Sequence, residues 1–144
     1  MVNISKRDPN TPFICNQPLK IRNLFIAGTS NTPIILFDTQ KEYLMMKGVS
    51  SPINAIAFYN VIFEHLHRYQ LYGSAHLKVY YNFDYINTSS SRCIFDITRI
   101  LEQMKRDGVH VSVNWCYERD DIDMLESGED IGFLSSIPFN FISL

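Results

Sequence analysis

Residues 75–115 alternate strand, helix and strand character, and this alternation restricts the fold more than any other feature of the chain. Ala75 to Ile86 is dense in β-branched and aromatic side chains (Leu77, Val79, Tyr80, Tyr81, Phe83, Tyr85, Ile86) and reads as one long strand ending at Asn87. Thr88, Ser89, Ser90 and Ser91 follow as a polar cluster. Cys93, Ile94, Ile97, Ile100, Leu101 and Met104 then trace one helical face up to Asp107-Gly108, a start and a stop signal around an amphipathic helix. Val109 to Trp115 is a compact β run. Two strands joined through a helix lie parallel in one sheet, and the expected crossover is right-handed.

The remaining segments extend this pattern to β-β-β-α-β-α-β-α-β, an α/β sandwich of a mixed sheet and amphipathic helices. Leu24 to Ala27, Pro33 to Phe37 and Tyr43 to Lys47 alternate with turn residues and predict a small meander. Ser51 and Pro52 suit the cap and first position of a helix over about 52–71, in which Ile53, Ile56, Ala57, Asn60, Phe63 and Leu66 recur at helical spacing and Gly73 is the stop. Asp120 to about Ile131 predicts a short acidic helix, and Phe139 to Leu144 a closing strand.

Residues 1–22 hold Pro9, Pro12 and Pro18 with Lys6, Arg7, Lys20 and Arg22 against Asp8, the composition of a loosely ordered basic arm. Residues 23–144 are expected to form a single domain, since a chain of 144 residues buries enough surface for one core without disulfide or metal staples. Cys15, Cys93 and Cys116 are far apart and contain no CxxC pair, which argues against a disulfide framework and a cysteine zinc site and fits a reducing cytoplasm. The start of the chain lacks the apolar run of a signal peptide, and Ile53 to Phe63 is far shorter than the ~20 residues that span a bilayer, so no membrane partner is expected. A net charge of −2 without a local basic patch argues against nucleic acid. The acidic stretch after Tyr117, with seven acids against Arg119, reads as a solvated helix face.

Enzyme signatures are missing: there is no phosphate-binding glycine loop, no GxSxG and no HExxH. His65 and His67 are two apart on a predicted helix and face different ways, so they do not chelate one metal. Cys93 belongs to an apolar helix face and reads as a small core residue, whereas Cys116, just past a β run, is expected to be more exposed. Asp84 and Asp96 are carboxylates without a spacing that pairs them. No catalysis, cofactor or metal is expected. Among the aromatics Tyr80, Tyr81, Phe83, Tyr85 and Trp115, alternation assigns most to the core, with the Trp115 indole N–H seeking a hydrogen bond.

The informative segment is Tyr85-Ile86-Asn87-Thr88-Ser89-Ser90-Ser91, where a long strand meets a helix at four hydroxyl side chains. A helix start needs one cap, because its first N–H groups have no intrahelical partner. The surplus hydroxyls form a polar ledge where the helix dipole favours added negative charge. A phosphate there adds about −1.5 to −2 charges and alters the surface without melting the helix. Asn114, on the neighbouring parallel strand, is a candidate polar neighbour of that ledge.

The same segment, followed by Val111-Ser112-Val113-Asn114-Trp115-Cys116-Tyr117 and an acidic helix, resembles the SiaC-like regulatory phosphoproteins of bacteria. Thr29-Ser30-Asn31-Thr32-Pro33 looks like that family's S-T-P turn, Lys47-Gly48 its strand end, Ser50-Ser51-Pro52-Ile53-Asn54 its S-Y-P-E-N helix start, and Ile137-Pro138-Phe139 its closing motif. The resemblance covers residues 24–144 and departs where Ser51 replaces the usual aromatic and Ile53 the usual acid. It implies a fold similar to STAS domains of the anti-sigma-factor-antagonist type and a role in partner switching. By position Thr88 would be the threonine phosphorylated by a cognate serine/threonine kinase of the histidine-kinase-like ATPase class and dephosphorylated by a PP2C-type phosphatase, with Asn87, Ser89 and Ser90 shaping what partners recognise. The effector implied is a diguanylate cyclase, placing the chain in cyclic-di-GMP signalling and biofilm regulation. Two rival readings use the same residues: an anion- or small-molecule-handling α/β protein, and a constitutive adaptor in which Thr88 is only a cap.

Overall fold

The computed structural model describes residues 21–144, so the expected basic arm lies outside the described residues apart from Ile21 and Arg22. The elements are β1 (Leu24–Ile26), β2 (Ile34–Asp38), β3 (Tyr43–Ser50), α1 (Ala55–Tyr72), β4 (His76–Ile86), α2 (Thr88–Arg106), β5 (His110–Tyr117), α3 (Ile122–Phe133) and β6 (Phe139–Ser143), in the order the sequence predicts. They build one six-stranded sheet in chain order, β1-β2-β3-β4-β5-β6. β1, β2 and β3 pair antiparallel through short turns, and every pairing from β3 onward is parallel, each crossing made by a helix.

Alternation along the strands decides the layering. Leu77, Val79, Tyr81 and Phe83 of β4 are buried, and the register sets Leu44 and Met46 of β3 on one side of them and Val113 and Trp115 of β5 on the other, all on one face. Tyr59, Ile62, Leu66 and Tyr69 of α1, Ile94, Ile97, Leu101 and Met104 of α2, and Met124 and Ile131 of α3 join the same core cluster. The three helices therefore cover a single face, and the molecule is a two-layer α/β sandwich. The opposite face carries Lys47, Lys78, Tyr80, Asn82 and Asn114.

Trp115 closes the core beneath α3. Its indole N–H donates to the Met124 carbonyl at 2.9 Å, and its ring packs against Tyr81, Phe83 and Phe139. Gly128 of α3 lies directly over the indole, and a Cβ there would stand 2.5 Å from ring atoms, so close helix–sheet approach requires glycine.

Helix α1 starts later than the sequence suggests. Ser51 does not cap it; its N–H instead donates to the Asn31 carbonyl at 2.9 Å, tying the segment to the β1–β2 turn. Pro52 is buried ahead of the helix, and the cap is Asn54, whose side chain accepts from the Ala57 N–H at 3.1 Å. Gly73 ends the helix as expected, its N–H donating to the Tyr69 carbonyl. Among the described residues no helix is long and apolar enough to cross a membrane.

Candidate functional site at the strand β4–helix α2 junction

Regular pairing of β3 with β4 stops at a bulge. Gly48 pairs with Phe83, but Val49 pairs with Tyr85, leaving Asp84 without a partner on β3. Gly48 has φ of +114°, a conformation that side chains with a Cβ rarely adopt. The extra residue inverts the alternation, so Asp84 and Tyr85 are both exposed, and simple alternation, which would place Tyr85 inside, fails at this one point. Beyond the bulge Ser50 meets Ile86, and the Asn87 N–H donates to the Ser50 carbonyl at 3.0 Å. The ends of β3 and β4 are thus locked together where α1 and α2 begin.

Asn87 is the cap of α2. Its side-chain oxygen accepts from the Ser90 N–H at 2.8 Å, and its carbonyl accepts from the Ser91 N–H at 2.9 Å. The cap is therefore an amide side chain, contrary to the expectation that a hydroxyl serves, and Thr88 becomes the first helical residue. Freed from capping, the side chains of Thr88 and Ser89 are exposed. Ser90 turns the other way: it is fully buried and its Oγ accepts from Ser50 Oγ at 2.8 Å. Ser50 Oγ also lies 2.6 Å from the Tyr59 hydroxyl. Ser90 consequently shapes the turn from inside and offers no surface.

The electrostatics of the turn favour an anion. No acidic residue stands in the first turn of α2, so within that turn added negative charge is favoured by the positive end of the helix dipole. Arg92, one turn beyond Thr88 and 80% exposed, is loosely paired with Asp96 at 3.8 Å. Asp96 is thereby engaged with a base, while Asp84 stands exposed at the bulge. Asn114 is not brought to the ledge. It pairs with Tyr80, six residues before the end of β4, on the face away from the helices, where its amide donates to the Val79 carbonyl at 3.2 Å. Parallel strands do end on one side, but Asn114 lies too early along β5 and points to the wrong face.

Other candidate groups are inert. Cys93 is buried as expected, and Cys116 is buried too, against expectation, because it lies within β5 and not past its end. Burial raises both thiols above their ordinary range, so neither is an activated thiolate. His65 is half-buried with Nδ1 3.3 Å from the Val61 carbonyl, and His67 is exposed. Among the described residues no group of three or more His, Cys, Asp or Glu could hold a metal ion.

Sequence reasoning missed Ser50 and Tyr59, because β3 reads as ending at Lys47 and the helical spacing traced through Ile53, Ile56, Ala57, Asn60, Phe63 and Leu66 leaves Tyr59 out, whereas the buried face of α1 is Ala55, Tyr59, Ile62, Leu66 and Tyr69. Ile53, ahead of α1, and Ile56, in its first turn, recur at helical spacing yet are 101% and 74% exposed. Solvated isoleucines in so short a stretch are a surface feature that hydrophobic periodicity assigns to the interior.

Comparison with known proteins supplies the remaining finding. The model of the SiaC family regulatory phosphoproteins matches residues 26–144. An uncharacterized protein of Pseudomonas aeruginosa is 32% identical over 117 residues, covering 81% of this chain and 93% of that protein. The solved structure of SiaC of Pseudomonas aeruginosa superposes with a TM-score of 0.80 at 31% identity, over 85% of this chain and 99% of that one. A chain in the crystal structure of diguanylate cyclase SiaD in complex with its activator SiaC, from the same organism, matches with a TM-score of 0.80 at 31% identity, over 84% of this chain and 99% of that one.

Proposed function

This chain belongs to the SiaC family of regulatory phosphoproteins, and on that premise we propose that it is a cytoplasmic partner switch whose state is set by phosphorylation of Thr88. The observation that carries the reading is the exposed Thr88 side chain at the first position of α2, released from capping by Asn87. A kinase transfers the γ-phosphoryl group of ATP: the bond to the ADP oxygen breaks as the Thr88 Oγ1–phosphorus bond forms, and the hydroxyl proton leaves to a base of the kinase. The resulting dianion sits at the positive end of the α2 dipole with Arg92 one turn away, so it is tolerated by the fold. Ionised in this way, the turn no longer presents the neutral surface that an unmodified partner site requires.

The partners are a cognate serine/threonine kinase of the histidine-kinase-like ATPase class, a PP2C-type phosphatase and an effector. The structural relative SiaC is the activator of the diguanylate cyclase SiaD, which makes a diguanylate cyclase the effector of choice here and places the chain in cyclic-di-GMP signalling and biofilm regulation. Asn87, Thr88 and Ser89 form the recognised turn, and Ser90 holds it from beneath.

The test is incubation of the full chain with its cognate kinase and ATP, followed by mass-spectrometric location of the phosphate. Label on Thr88, absent from Thr88→Ala, is the expected result. Label elsewhere, or none with a kinase active on another substrate, overturns the switch and leaves a constitutive adaptor.

A further inference from the structure

We infer that the Tyr59 hydroxyl is a positioning group for the Thr88 turn, acting through Ser50 and Ser90; the inference rests on the reading of Thr88 as the modified residue. Three hydroxyls lie in series inside the molecule. The Tyr59 hydroxyl is 2.6 Å from Ser50 Oγ, Ser50 Oγ is 2.8 Å from Ser90 Oγ, and all three residues are 0% exposed. A hydroxyl has one hydrogen to give. That of Ser50 goes to Ser90, so that of Tyr59 goes to Ser50, and the chain runs in one direction from α1 through the end of β3 to the first turn of α2. Burial also holds the Tyr59 phenol above its ordinary range, which keeps it protonated as the donor.

Stability alone does not account for this arrangement. Buried hydrogen-bonded hydroxyls gain little over apolar groups of the same shape, but they fix the distance and direction between the elements that carry them. Here they fix the turn that displays Thr88 and Ser89 relative to the start of α1, which displays Ile53 and Ile56. Ser90 is held twice, its N–H by the Asn87 side chain and its hydroxyl by Ser50. The amide bond satisfies the helix start, and the hydroxyl bond sets where that start lies. A kinase that must bring Thr88 Oγ1 in line with ATP thus receives the turn already placed, without ordering it on binding.

The experiment uses the full-length chain, unaltered and as Tyr59→Phe, which keeps the ring and removes the donor. Amide hydrogen exchange by NMR and steady-state phosphorylation by the cognate kinase are measured on both. The expected result is exchange at the Ser90 and Ser91 amides, the two of the turn that are hydrogen-bonded, faster by about tenfold, Val79 and Tyr81 amides unchanged, and a kinase KM raised several-fold at constant kcat. Unchanged exchange in the turn overturns the inference. So does a uniform acceleration that includes Val79 and Tyr81, which reports only lost stability. If the unaltered chain takes phosphate at Thr88 with the same KM as Tyr59→Phe, the positioning role falls while the switch stands; if Thr88 is never labelled, the switch falls, and exchange still decides whether the hydroxyl places the turn. Should Tyr59→Phe fail to fold, Ser90→Ala removes the far end of the chain and gives the same readouts.

Discussion

The side-chain oxygen of Asn87 accepts the Ser90 N–H at 2.8 Å, and this bond, three residues long, decides that Thr88 is displayed and not consumed by the helix start. Capping asparagine replaced by alanine costs about 1 kcal/mol, whereas a solvent-facing first-turn threonine contributes within about 0.5 kcal/mol. Asn87→Ala is therefore expected to lower the urea midpoint clearly and Thr88→Ala to leave it nearly unchanged. The reverse order in equilibrium unfolding would assign the cap to the threonine.

Gly128→Ala places a methyl group against the Trp115 indole, which is fully buried and anchored through its N–H, so the ring has nowhere to go. Overpacking of this kind costs about 1–3 kcal/mol. A lower melting temperature and an altered Trp115 emission are expected, and a variant as stable as the parent would show that α3 is free to lift.

Tyr59, Tyr69 and Tyr81 are pushed above the phenol's ordinary value of 10.0 chiefly by burial, Tyr69 up to about 12. The unfolded chain thus releases these protons at lower pH than the folded one. Wherever the unfolded state binds fewer protons, stability falls as pH rises. Their contribution is intact below the unfolded value of 10.0 and is lost on going through it, for Tyr69 up to about 12. An alkaline titration is expected to show tyrosinate absorbance from these residues only together with the loss of near-ultraviolet circular dichroism; ionisation of all eight tyrosines in a still-folded chain would contradict the burial.

Ile53 and Ile56 stand in solvent shortly after Ser50, the residue whose carbonyl accepts the Asn87 N–H ahead of Thr88. Ile53→Glu supplies the acid found at this position in the resembling family, and as a surface substitution it is expected to alter stability by no more than about 0.5 kcal/mol. Binding to the cognate effector is expected to weaken at least about tenfold, about 1.4 kcal/mol. Calorimetric titration showing equal affinity would show that the effector does not contact Ile53.

Much of this fold was legible because its elements are marked by strong local signals. The aromatic and β-branched run of β4, the apolar stripe of α2 and the Asp107-Gly108 stop each fix one element, and a parallel pair joined by a helix leaves few topologies. Helix starts were read less well. Ser51 and Pro52 fit a cap motif, but the Ser51 N–H bonds to Asn31, and a tertiary hydrogen bond outweighs a local preference. The exposure of Tyr85 and the burial of Cys116 escaped for a related reason: a single unpaired residue, Asp84, reverses one strand's alternation, and the reach of β5 to Tyr117 keeps Cys116 inside the sheet.

The Asn87-Thr88-Ser89-Ser90 segment by itself determined that a polar turn would join the central strand to an amphipathic helix, since its amide and hydroxyl side chains offer acceptors to the N–H groups that a helix start leaves without intrahelical partners. Which of its hydroxyls would face water, and which would be drawn inward, was decided by the tertiary structure alone. Ser90 turns in because Ser50 waits for it from forty residues away, delivered by a bulge at a glycine, and Thr88 turns out because that same helical register leaves it on the opposite side. Partners distant in sequence leave no periodic mark on either segment, so their meeting is a property of the packed chain.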